Sequence, residues 1–215
     1  MTAYFYNGVP QYHLNNFCAV RNVLDNFQNL LNIAEIVNAS IYDKTDECPD
    51  NFDLVVFSGE YSRALIRKSD GFFSMAIPFQ VVDHGDRISF NFDLVRDEVN
   101  GLFISIMRNA IQTSRNHDFS HESIALSLSE NFGLEIQEAI NYSDAFVSIV
   151  SEDHGYFRFD DDPKNENGQF HPRYHIDFFY KNSSSVKVGA DEFVDINFFY
   201  SLFDGGHPKH YLKRN

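Results

Sequence analysis

The hydrophobic period changes along this chain, and that change constrains the fold more than any other feature. Over residues 14–37 the apolar positions Leu14, Phe17, Cys18, Val23, Leu24, Phe27, Leu30, Leu31, Ala34 and Val37 recur mostly in steps of three and four, the spacing of one helical face. Asn15, Asn16, Arg21, Asn22, Asp25, Asn29 and Asn32 fill the other face, so one long amphipathic helix is predicted there. Residues 53–96 have a different texture. Short apolar segments are separated by Ser58-Gly59, Ser69-Asp70-Gly71 and Asp83-His84-Gly85-Asp86, which predicts strands joined by tight turns in an antiparallel meander. Ile88, Phe90, Phe92 and Leu94 alternate with Ser89, Asn91 and Asp93, as in a strand with one covered and one wet face.

The helical period returns over residues 97–150. Asp97 and Glu98 are expected to open a helix at the positive end of its dipole. A shorter helix follows near residues 120–132, closed by Gly133 at a C-terminal cap position. Residues 134–150 read as a further helix, with a strand as the competing reading from 145 to 150. Beyond them, strands are expected at 156–160, 174–180 and 185–189. Residues 193–203 are apolar nearly all round, so a helix there would be buried on most faces. Strand and helix blocks segregated in this way predict an α+β fold, an antiparallel sheet packed against amphipathic helices.

At 215 residues one core is the default, and a single domain over 1–215 is expected. The chain carries 23 Phe and 11 Tyr but no Trp, an apolar load that argues against global disorder. Lys and Arg total 17 against 31 Asp and Glu, a formal charge of −14, which disfavours free nucleic acid as a direct partner. The basic residues His207, Lys209, His210, Lys213 and Arg214 crowd the C-terminal end, a cluster able to contact an acidic surface locally, and His207 and His210 are expected to be mobile rather than catalytic. Two cysteines, Cys18 and Cys48, fit a reducing compartment better than a disulfide framework. No leader-like pattern and no long apolar run appears, so a cytoplasmic protein without membrane insertion is expected.

Residues 170–180 are the most informative for chemistry. In an extended strand His171, Arg173, His175 and Asp177 would point to one face, and Tyr174, Ile176, Phe178 and Tyr180 to the other. A preceding strand paired across the loop would bring Asp160, Asp161 and Asp162 close. Two imidazoles with several carboxylates can ligate a divalent ion, or one imidazole can act as a general base. A hydrogen-bonded polar sheet face with no chemistry is the competing reading. His117, Asp118, His121 and Glu122 form a second cluster, read as helix-entry and capping residues rather than ligands. P-loop, dinucleotide-binding, C-x-x-C and G-x-S-x-G signatures are missing from the sequence.

The order Phe157-Arg158-Phe159-Asp160, an acidic loop, His171-Pro172-x-x-His175-Ile176, Val186-x-Val188-Gly189 and an aromatic segment at 193–203 resembles a prokaryotic family of unknown function. That family pairs an R-F-D strand with an H-P-x-x-H strand, and the likeness covers roughly residues 156–203. It carries no activity, and implies cargo of variable bacterial genomic islands. The leading expectation is therefore a non-catalytic, protein-binding accessory subunit of an anti-phage or anti-plasmid defence complex, beside an ATPase or nuclease, needing no cofactor. The alternative is a metal-dependent hydrolase or nuclease. It would use His171, His175 and Asp177 with Asp160 or Asp162 on a divalent ion, and Arg173 would stabilise charge on a phosphate. An acidic antitoxin or polyanion mimic is the third reading.

Overall fold

A computed structural model of the chain describes residues 1–40, 51–95, 97–116, 119–152, 154–168, 170–178 and 187–210. In chain order the elements are β1 (Thr2–Tyr6), α1 (Gln11–Leu14), α2 (Val23–Ala39), β2 (Leu54–Ser58), β3 (Arg63–Lys68), β4 (Gly71–Ala76), β5 (Gln80–Asp83), β6 (Ile88–Phe92) and β7 (Asp97–Glu98). They continue with α3 (Gly101–Asn116), α4 (His121–Phe132), α5 (Ile136–Ser151), β8 (Phe157–Asp161), β9 (Tyr174–Phe178), β10 (Lys187–Ala190) and α6 (Ile196–Phe203). The fold is α+β, with a seven-stranded antiparallel sheet and a separate three-stranded one.

The sequence reading expects one folding unit; the residue contacts group into two. The first comprises Met1–Asn7, Asp43–Ala76 and Gly155–Asn215, and the second Gly8–Tyr42 and Ile77–His154. The chain passes between them four times, so no contiguous stretch of sequence corresponds to either.

In the first unit the strand order is β1-β2-β3-β4-β8-β9-β10. Strand alternation sorts the side chains: Phe157, Phe159 and Ile176 face the core with Phe5, Phe52, Val55, Phe57, Leu65 and Phe72, and α6 adds Ile196 and Phe199. Asp195 caps α6, its Oδ1 accepting from the Phe198 N–H at 3.0 Å. Ile196, Phe199 and Ser201 of α6 are buried, Phe198, Tyr200 and Phe203 are half-buried, and Asn197 and Leu202 remain exposed, so the helix is covered around most of its circumference, with two exposed positions. The tail folds back on the end of this helix. Lys209 Nζ donates to the carbonyls of Ser201, Leu202 and Asp204, orphaned at the helix end where the dipole favours a cation. His207 lies 3.2 Å from Asp204. Cys48, Lys213 and Arg214 lie outside the described residues.

The second unit contains β5-β6-β7 and helices α1 to α5. The predicted meander is divided here, because β2 to β4 join the large sheet and β5 and β6 the small one. Pro78 sits at the break and has no N–H to continue a ladder. The predicted helix over 14–37 is also broken, into α1 and α2. Asn22 caps α2 through the N–H groups of Leu24 and Asp25. Asn29 and Asn32, expected on the wet face, are buried. The Asn29 amide accepts from Cys18 N and donates to Cys18 O, both at 2.9 Å, and the Asn32 amide donates to Asn16 O at 2.7 Å. The intervening loop folds back on the helix, and these amides satisfy its backbone. Asp97 and Glu98 are β7 rather than a helix start; α3 begins after Asn100, whose Oδ1 accepts from Leu102 and Phe103 N–H. Residues 145–150 are helical, within α5.

Candidate functional site

The period-2 alternation that buries Phe157, Phe159 and Ile176 turns Arg158, Asp160, His175 and Asp177 to the opposite face. Register then makes them neighbours. Asp160 stands across from His175 and Arg158 from Asp177 on β8 and β9, while Lys187 and Gly189 of β10 stand across from Asp177 and His175. Side-chain atoms of Asp160, His175 and Asp177 all lie within 4.8 Å of one another.

His175 is 1% exposed. Its Nδ1 lies 2.8 Å from the Pro172 carbonyl and its Nε2 2.9 Å from Lys187 Nζ. A carbonyl can only accept and an ammonium can only donate, so the network assigns the neutral tautomer with the proton on Nδ1 and the lone pair on Nε2. Pro172 is held over β10 by the absence of a side chain at Gly189, where a Cβ would come within 2.9 Å of the proline Cγ. The His-Pro pair therefore acts through its backbone, the Pro172 carbonyl aiming the imidazole three residues later.

Four charges surround that imidazole. Asp177 accepts from Lys187 Nζ at 2.6 Å and from Arg158 Nη2 at 2.8 Å, and Arg158 Nη2 also reaches Asp160 at 3.0 Å. Two carboxylates are balanced by an ammonium and a guanidinium. Burial pushes the Asp160 carboxyl above its ordinary range, outweighing the attraction of Arg158 and Lys68. Burial acts upward on Asp177 too, but the bond from Lys187 and the fields of Lys187 and Arg158 win and hold it low. For Arg158, burial opposes the charged form and is overcome chiefly by Asp160, so its pKa rises.

These opposite shifts make the neighbours respond oppositely to acid. The folded pKa of Asp177 lies below its unfolded value, so its stabilisation is present above the ordinary aspartate pKa and is lost as pH falls through the folded one. The folded pKa of Asp160 lies above, so its ionisation destabilises as pH rises through that interval, and stability returns on acidification. Asp177→Asn is expected to cost about 2 kcal/mol at neutral pH and to lose stability less steeply than the parent on acidification. Asp160→Asn should lose it more steeply. Urea unfolding at neutral pH and near pH 4 checks both, and parallel profiles for the two variants would refute the assignment.

The other predicted residues take different places. His171 stacks toward His175 with ring centroids 4.9 Å apart. It donates from Nδ1 to the Asn165 carbonyl at 3.2 Å, and its Nε2 lies 3.8 Å from Asp162. Asp162 is engaged by Asn165, whose side-chain bond leads in holding its pKa low. Arg173 leaves the row: it precedes β9, and its guanidinium makes a two-point contact with Asp161 at 2.7 and 3.2 Å and lies over the Tyr174 ring. Asp161 faces away from Asp160 by strand alternation, so Arg173 follows it. Tyr180 lies outside the described residues.

In the second unit, His121 pairs with Asp144 at 2.9 Å in an exposed contact. Ser120 caps α4 from in front of it, while His117 and Asp118 lie outside the described residues. No protein-family model, curated protein or solved structure matches this chain. Its site is therefore read from its own geometry. Sequence reasoning did not enlist Arg158 and Lys187. Arg158 was available from the same alternation that places Asp160; Lys187 required the β9–β10 register.

Among the described residues no helix is long and apolar enough to cross a membrane.

Proposed function

We propose that this protein is a non-catalytic, protein-binding subunit, and that the hairpin between β8 and β9 is its docking element. The supporting observation is Phe170, 91% exposed at the tip of a hydrogen-bonded turn. Asn167 N donates to His171 O at 2.9 Å, Phe170 N to Asn167 O at 3.1 Å, and Gly168 takes the left-handed φ of 50° that the turn demands. Farther back, Asp162 N donates to Arg173 O at 2.9 Å. A large aromatic ring left this exposed at a turn costs apolar exposure that burial against a partner would recover, the property of an interface anchor. With a chain charge of −14, the fitting partner offers an apolar pocket rimmed by Lys and Arg. The resemblance of residues 156–203 supplies a setting: a cytoplasmic bacterial defence complex against phage or plasmids, with an ATPase or nuclease as the partner.

Affinity capture from the native host with mass spectrometry tests this. The parent is expected to retain a stoichiometric partner. Phe170→Ala should weaken binding by about 2 kcal/mol or more while changing stability by less than about 0.5 kcal/mol. Salt should weaken the complex. Capture unaffected by Phe170→Ala would remove the docking assignment.

A further inference from the structure

We infer that Asp160, His175 and Asp177 form a binding site for one divalent transition-metal ion of the Mn2+ or Zn2+ class, in which the Lys187 ammonium is a displaceable occupant. This goes beyond the protein-binding reading and does not rest on it.

Two independent features point to a cation here. One is the buried imidazole, whose Nδ1 proton is committed to the Pro172 carbonyl at 2.8 Å. A metal ligand requires the Nε2 lone pair, and backbone bonding of the other ring nitrogen is how proteins fix it. The other is that the set already holds a cation, since Lys187 Nζ sits 2.6 Å from Asp177 Oδ1 and 2.9 Å from His175 Nε2.

Geometry and ligand chemistry restrict the ion. His175 Nε2 lies 3.8 Å from Asp160 Oδ2 and 3.9 Å from Asp177 Oδ2. Ligands on a tetrahedral zinc ion are about 3.3 Å apart, so the two histidine–aspartate pairs close by roughly half an ångström and the two carboxylates, within 4.8 Å of each other, by at most about 1.5 Å, within the reach of aspartate side-chain rotation. One imidazole with two carboxylates suits a borderline ion, and is poor for Ca2+, which prefers a larger oxygen shell. Arg158 need not leave, because a carboxylate oxygen has a second lone pair to share. Lys187 must. It belongs to β10, the last strand of its sheet, and its side chain is 34% exposed, so the ammonium can return to water as the ion enters.

A lysine on an edge strand also has a structural explanation, protection against edge-to-edge pairing, and the two accounts diverge experimentally. Equilibrium dialysis of the full chain against Zn2+ and Mn2+, with metal analysis, is the test. The parent is expected to bind one ion below about millimolar concentration. Lys187→Met should bind about tenfold more tightly, and Asp177→Asn at least about tenfold more weakly. The gain in Lys187→Met cannot be produced by misfolding, which guards against a variant that merely fails to fold. Absence of stoichiometric binding by the parent, binding undiminished in Asp177→Asn, or no gain in Lys187→Met would each overturn the inference.

Discussion

Gly71→Ala is expected to destabilise the protein by about 3 kcal/mol or more, the largest effect of any single methyl group added to the described glycines. Gly71 opens β4 at φ 141°, a conformation L side chains rarely adopt. It pairs with Asp160 across the β4–β8 contact. A Cβ there would lie 1.9 Å from the Phe159 carbonyl oxygen and 2.9 Å from its carbon. Those are backbone atoms of a sheet strand and cannot swing aside, so the variant must separate β4 from β8 or shift their register. Gly168→Ala provides the comparison. Gly168 also has a positive φ, 50°, but no atom lies within 4 Å of its added Cβ, and its cost should stay near 1 kcal/mol. Guanidinium unfolding followed by circular dichroism measures both. Similar costs would mean that backbone conformation alone governs Gly71.

Phe199→Ala should cost about 4 kcal/mol. The ring is 0% exposed. It meets Phe72 edge-on at 5.1 Å and stacks with Phe157 at 6.4 Å, so α6 is fastened to β4 and β8 by this side chain. Truncation removes the transfer energy of a benzyl group and leaves a cavity among rigid rings that cannot collapse to fill it. Leu202→Ala, nearer the C-terminal end of the helix and 38% exposed, should cost less than about 1 kcal/mol. Because Phe157 belongs to the strand that carries Arg158 and Asp160, loosening α6 should also raise amide exchange in β8. Equal costs for Phe199 and Leu202 would contradict the placement of α6.

Helices and strands were legible where one physical rule dominates. Ser120 and Gly133 bound α4 as a capping residue and a left-handed terminator, and 3.6-residue spacing marks α3 and α5. Reading failed where a polar side chain works inward. Asn29 and Asn32 look like solvent-facing residues in any periodicity argument, yet both serve the Asn16–Cys18 backbone, and the loop they bind interrupts the expected helix.

The site shows the same division. Period-2 alternation within residues 157–160 and 174–178, a local and steric property, determined by itself that Arg158 and Asp160 share one face, and that His175 and Asp177 share one. Only the tertiary structure decided which of these meet, because pairing register depends on contacts far apart in sequence. It set Asp160 against His175, brought Lys187 to Asp177, and sent Arg173 to Asp161. Composition determined the strong negative charge and the aromatic core. The division into two interleaved units depended on which apolar faces found each other, a choice that no local pattern records.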